Sequence, residues 1–177
     1  MSNAVLTPAP SAGTPVPPVV TPVATPAAAA AAKTRVWTLP GICGDVRVMT
    51  SFGELPVKAL RLRDPVRTAA GGFLPVKWLD VVHLDDSFLA GYPDAQPLLI
   101  RAGALGRERP KTDILVSPHQ KVGVGDSAFR PEFRVARDLD QRPGVLRRPS
   151  DRVSYYLFHL GEPAIITVEG VSIPLNP

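Results

Sequence analysis

Two stretches of this chain carry side chains suited to breaking or remaking a peptide bond. Cys43 is the only cysteine among 177 residues, and a thiol that opens a compact domain can attack the carbonyl of the residue before it. Ser117-Pro118-His119-Gln120 lies between two runs of β-formers, Ile114-Leu-Val and Lys121-Val-Gly-Val. A histidine at such a turn can polarise an amide or carry a proton. One thiol excludes an internal disulfide and a cysteine-based zinc centre, each of which needs more than one. Cys43 is then a packed small residue, an intermolecular link or a nucleophile, and packing is the usual fate of a free cysteine. A serine-hydrolase reading of Ser117 and His119 fails, because neighbours two residues apart do not build a triad and no elbow glycines flank the serine. His83, beside Asp85 and Asp86, reads as part of a solvated loop, since the chain's three histidines are too scattered to make a ligand set. His159, after Tyr155-Tyr-Leu-Phe, reads as a strand residue. No cofactor and no metal are expected.

The elements that must position these groups follow from texture. Residues 1–33 hold seven prolines, at 8, 10, 15, 17, 18, 22 and 26, and an alanine run from 27 to 32. Proline at that density removes backbone donors and favours extended, solvated chain, so 1–34 reads as a disordered Pro/Ala-rich tail. From Arg35 short apolar or alternating runs are broken by Gly and Pro, among them Arg35-Val-Trp-Thr-Leu, Val46-Arg-Val-Met-Thr, Leu74 to Val82, Leu98-Leu-Ile, Val153 to Leu160 and Ala164-Ile-Ile-Thr-Val. Runs of this length and spacing predict one all-β domain over 35–177, built of many short strands. Only Leu79 to Leu89 and Phe133 to Leu139 have room for a turn or two of helix. With 45% hydrophobic residues the chain can bury a single core. Its net charge of +4 comes without any nucleic-acid-binding motif, so a solvated basic surface is expected rather than a nucleic-acid partner. No apolar stretch is long enough to cross a bilayer. The first residues lack a secretory signal pattern, which leaves the cellular location unassigned and a non-classical export route open.

Gly53-Glu-Leu-Pro-Val-Lys-Ala-Leu, Ile100-Arg-Ala-Gly-Ala-Leu-Gly, Leu115-Val-Ser-Pro-His-Gln-Lys-Val and Val168-Glu-Gly resemble segments of the bacterial Hint (hedgehog/intein) domain family. The resemblance runs from about Gly41 to Ser172. It implies a compact all-β Hint-type fold that brings its first residue beside a central Ser/Thr-x-x-His motif. It also implies self-directed chemistry: an N-terminal cysteine thiolate converts the preceding amide to a thioester by an N-to-S acyl shift, assisted by the motif's histidine. Applied here, the nucleophile is Cys43, the bond is Ile42-Cys43, the motif is Ser117 with His119 or Gln120, and the substrate is the chain's own N-terminal segment. Full splicing is not expected, because it needs a C-terminal Asn joined to a following segment and this sequence ends Asn176-Pro177.

The sequence departs from the family pattern in its polar positions. Counting back without gaps from Thr50 places Gly41 where the family has its cysteine, with Cys43 two residues late. Two residues along a strand keep the face but move the sulfur about 6.6 Å; a two-residue deletion before Val46 would restore the register. The family's histidine falls on Gln120, and His119 is one residue early, a slip that reverses the face in extended chain. Leu157 and Pro163 stand where histidines are common, and the end, Ser172-Ile-Pro-Leu-Asn-Pro, lacks the usual Glu-Ser-Phe-like sequence. Two readings follow: self-cleavage at Ile42-Cys43, or a catalytically inactive Hint-fold interaction module with a protein partner.

Overall fold

In a computed structural model the described residues are 37–125 and 132–177; the proline-rich segment 1–34 lies outside them. Within them the all-β expectation holds. Fourteen short strands follow one another: β1 (Ile42–Cys43), β2 (Arg47–Thr50), β3 (Gly53–Pro56), β4 (Pro65–Arg67), β5 (Phe73–Pro75), β6 (Trp78–Leu84), β7 (Leu98–Ile100), β8 (Ile114–Val116), β9 (Lys121–Val124), β10 (Glu132–Val135), β11 (Val145–Arg147), β12 (Val153–His159), β13 (Ala164–Val168) and β14 (Val171–Leu175). One sheet has the order β11-β7-β8-β1-β12-β6. A second runs β14-β13-β2-β4-β5 with β3 hydrogen-bonded to β2, and β9 and β10 form a separate hairpin.

The strand that matters most is the shortest. β1 lies in the middle of the first sheet, with Ile42 paired to Val116 on one side and to Tyr156 on the other. Side chains alternate across a strand, so Ile42 enters the main core with Val48, Val66, Ile100, Val116, Ile166 and Ile173. Cys43 faces the opposite way, against a smaller cluster of Trp37, Leu84, Leu89, Ala95, Val153 and Tyr155.

Each of the two stretches with room for a turn or two of helix coils only in its later part. Leu79 to Leu84 stays in β6, fully paired with β12, and the single α-helix of the described residues, α1, spans Asp86–Gly91. It starts there because Asp85 caps it: Asp85 Oδ1 accepts from the Phe88 N–H at 2.8 Å. Phe133 to Val135 belongs to β10, and only Ala136–Leu139 coils, as a 3-10 turn. The run Arg35 to Leu39, read as a strand, has no strand from Trp37 onward, since the Trp37 and Leu39 groups are engaged by a side-chain network instead of a ladder.

Candidate functional site

The two ends of β1 define two environments. At the first, the turn Ser117–Gln120 is closed by the Gln120 N–H donating to the Ser117 carbonyl at 2.9 Å, with Pro118 at the position whose backbone torsion proline presets. That turn is tied to the start of β1: the Ser117 N–H donates to the Gly41 carbonyl at 2.8 Å, and the Gly41 N–H donates to Gln120 Oε1 at 3.0 Å. Gln120 Nε2 in turn donates to the Lys121 carbonyl at 3.1 Å. Ser117 Oγ donates to the Leu39 carbonyl at 2.6 Å and accepts from Trp37 Nε1 at 3.2 Å. Ser117 and Gln120 are both buried, where an unpaired polar group would be costly. Among the described residues no buried side-chain nitrogen or oxygen lacks a partner.

At the second end, two residues on, Cys43 is partly buried and also lines a cleft of about 300 Å³ with Asp45, Lys58, Ser150, Arg152 and Ser154 among others. Cys43 packs against the Trp37 and Tyr155 cluster. Burial first, and the Asp45 carboxylate second, push its thiol up from 9.0 to about 12. The thiolate is the nucleophilic form, and at pH 7 a thiol with that acidity is ionised in roughly one molecule in 10⁵. Burial also raises the Tyr155 hydroxyl, which donates to the Ala95 carbonyl at 2.8 Å. His119 is partly exposed on the Ser117 turn; burial and then the Arg137 charge lower its pKa, against the opposite pull of Asp94 and Asp138.

A small cleft of about 120 Å³ opens over the Pro40-Gly41 junction, lined by Gly41, Gln120, Trp78, Leu157, His159 and Asn176 among others. The His159 ring stacks on Trp78, with centroids 5.5 Å apart and planes 16° from parallel. Its Nδ1 accepts from the Gly161 N–H at 3.1 Å, so the neutral ring carries its proton on Nε2. Leu157, in a position where the family often has histidine, offers this cleft only an apolar surface.

A family model described as the Hint domain matches residues 40–173. The chain belongs to the Hint domain family. Among solved structures, the Msm DnaB1 intein splicing domain bound with zinc is similar with a TM-score of 0.50 at 14% identity, covering 77% of this chain and 99% of that one. The gp41-1 intein gives a TM-score of 0.48 at 7% identity, covering 77% and 98% respectively. At 14% identity the first likeness speaks for the fold alone. No curated protein matches the chain.

This Hint domain brings together Gly41, Ser117 and Gln120; His119 joins them only through its backbone N–H, which donates to Ser117 Oγ at 3.4 Å, and the Cys43 thiol is not among their partners. The turn at Gly44 and Asp45 does not carry the sulfur back to Gln120: Val46 N–H closes it on the Cys43 carbonyl at 3.2 Å, leaving Gly41 at the motif. Gln120 meets the junction as an acceptor, through Oε1. Sequence reasoning missed Trp37, whose indole anchors the segment before Gly41. The signal available was a tryptophan four residues ahead of the position aligned with the family's cysteine.

Proposed function

We propose that this protein is a Hint domain that has lost self-cleavage and serves as a non-cleaving interaction module, keeping its N-terminal segment covalently joined and held. The observation that carries this reading is the hydrogen bond from the Gly41 N–H to Gln120 Oε1. It pairs the two positions that the resemblance aligns with the family's cysteine and histidine, and neither residue can do its counterpart's work. Glycine supplies no nucleophile. A glutamine amide can bind a peptide N–H but cannot hand the departing nitrogen a proton, and loss of such proton transfer typically costs 10²- to 10⁴-fold in rate.

The alternative bond, Ile42-Cys43, has a nucleophile but lacks the rest of the machinery. It lies inside β1, its thiol is held almost wholly protonated, and the side chains of Ser117 and Gln120 are committed to Leu39, Trp37, Gly41 and Lys121. What remains at the junction is a set of binding contacts without an acid or an attacking group, which suits holding the segment rather than releasing it.

The test is intact-mass spectrometry of the full chain and its Cys43→Ala variant after long incubation with dithiothreitol or hydroxylamine. Both chains are expected to stay whole. A fragment beginning at Cys43 from the parent alone would overturn the proposal in favour of the acyl shift at Ile42-Cys43; one beginning at Gly41 would overturn it by another route.

A further inference from the structure

We propose that Tyr155 is a steric gatekeeper of position 41: the nucleophile's place is filled as well as emptied, so that a side chain restored there would have nowhere to go. This inference rests on the inactive reading above, to which it adds a residue and a cause. A Cβ built on Gly41 would stand 2.7 Å from Tyr155 Cβ, 3.3 Å from its Cγ and 3.4 Å from its Cδ1. Contacts shorter than about 3 Å between carbons are repulsive, and here the nearest atom is the root of a side chain and not its flexible tip.

Tyr155 cannot easily move away. Cross-strand pairing sets it opposite Cys43, it is wholly buried, and its hydroxyl is tied to the Ala95 carbonyl. Its ring lies 5.9 Å from that of Trp37 at an angle of 33°, and Trp37 in turn donates to Ser117. One tyrosine thus fixes the space at Gly41 and the seat of the indole that orders the junction. A methyl group at position 41 would push on Tyr155 and through it unseat Trp37, which predicts a local signal distinct from a general loss of stability. Gly41 has φ +158°, where any side chain is strained; Gly71 also has a positive φ, +92°, but a Cβ there would meet nothing within 4 Å, so Gly71→Ala serves as the control for backbone strain alone.

The experiment uses the full chain carrying Trp78→Phe, so that the buried Trp37 is the only tryptophan left to report. Gly41→Ala is expected to lower Tm by about 3 °C or more and to raise acrylamide quenching of Trp37, while Gly71→Ala, strained only in its own backbone, leaves the quenching unchanged. If Gly41→Ala leaves both Tm and quenching as they were, the gatekeeper is overturned.

A second arm needs no stability reading. Gly41→Cys/Gln120→His, in a Cys43→Ala background, is expected to give no thioester. In the reaction excluded, the new thiolate would attack the Pro40 carbonyl carbon, the Pro40 carbon to residue-41 nitrogen bond would break, and that nitrogen would take a proton to become a free amine. Hydroxylamine would then release residues 1–40 as a hydroxamate, and its appearance would overturn the proposal while leaving the inactive reading of the parent intact. Cleavage by the parent has the reverse effect: it removes the inactive reading, whereas the gatekeeper is still judged by Gly41→Ala.

Discussion

The two ends of β1 are separated by a single residue, yet they were built from opposite materials. The Gly41 end is polar, buried and fully hydrogen-bonded, and contains nothing that can attack. The Cys43 end has the attacking atom, partly buried on aromatic and aliphatic side chains, with burial first and the Asp45 carboxylate second keeping it protonated. Acyl transfer needs a nucleophile and its polarising partners at one bond; here strand geometry keeps them apart. Alternation puts Gly41 and Cys43 on the same face about 6.6 Å apart, too far for Gln120 to serve both. On the inactive reading proposed above, a motif turn and a cysteine do not add up to a site unless the register between them also fits.

The contrast can be broken most strongly at Gln120. Gln120→Ala strips the Gly41 N–H of its acceptor in a buried setting, and a loss of about 1–3 kcal/mol is expected in urea unfolding. Unchanged stability would mean the polar end contributes nothing. Ser117→Ala follows at about 1 kcal/mol, since the Trp37 indole N–H loses a buried partner while the exposed Leu39 segment can turn to water. Hydrogen exchange should quicken around Trp37 to Gly41 and remain unaltered in β13. The smallest effect belongs to the Cys43 end and appears only in alkali. Because the folded thiol titrates near 12 and the ordinary value is 9.0, the unfolded chain loses this proton first. The contribution of Cys43 is complete below about pH 9 and drains away as pH rises toward about 12. Cys43→Ala should remove that part of the alkaline slope, as read by unfolding at stepped pH. An identical slope in parent and variant would show that the thiol is not held as described.

Much of this was legible in the sequence. Runs such as Ile114-Leu-Val, Lys121-Val-Gly-Val and Ala164-Ile-Ile-Thr-Val declared themselves as strands because alternation and turn residues act locally. Ungapped counting from Thr50 placed Gly41 at the family's cysteine position, counting three residues on from Ser117 placed Gln120 at its histidine position, and a hydrogen bond joins the two. β1 was hidden because two residues carry no periodicity; it exists only through its neighbours β8 and β12. Trp37 was read as strand for the same reason in reverse, a β-former whose partner turned out to be a serine hydroxyl far along the chain. The helix start at Asp86 was recoverable from the cap at Asp85, but the β-branched run before it masked the change of period.

The central seat of β1 has a mechanical consequence. A pull on the chain ahead of Trp37 would reach the domain at the middle of a six-stranded sheet, between β8 and β12, rather than at a peelable edge. Load would pass first to the indole and serine contacts and then to hydrogen bonds on both flanks of Ile42. On the proposed reading, in which the leading segment stays joined, the same architecture makes this domain a good place to fasten one.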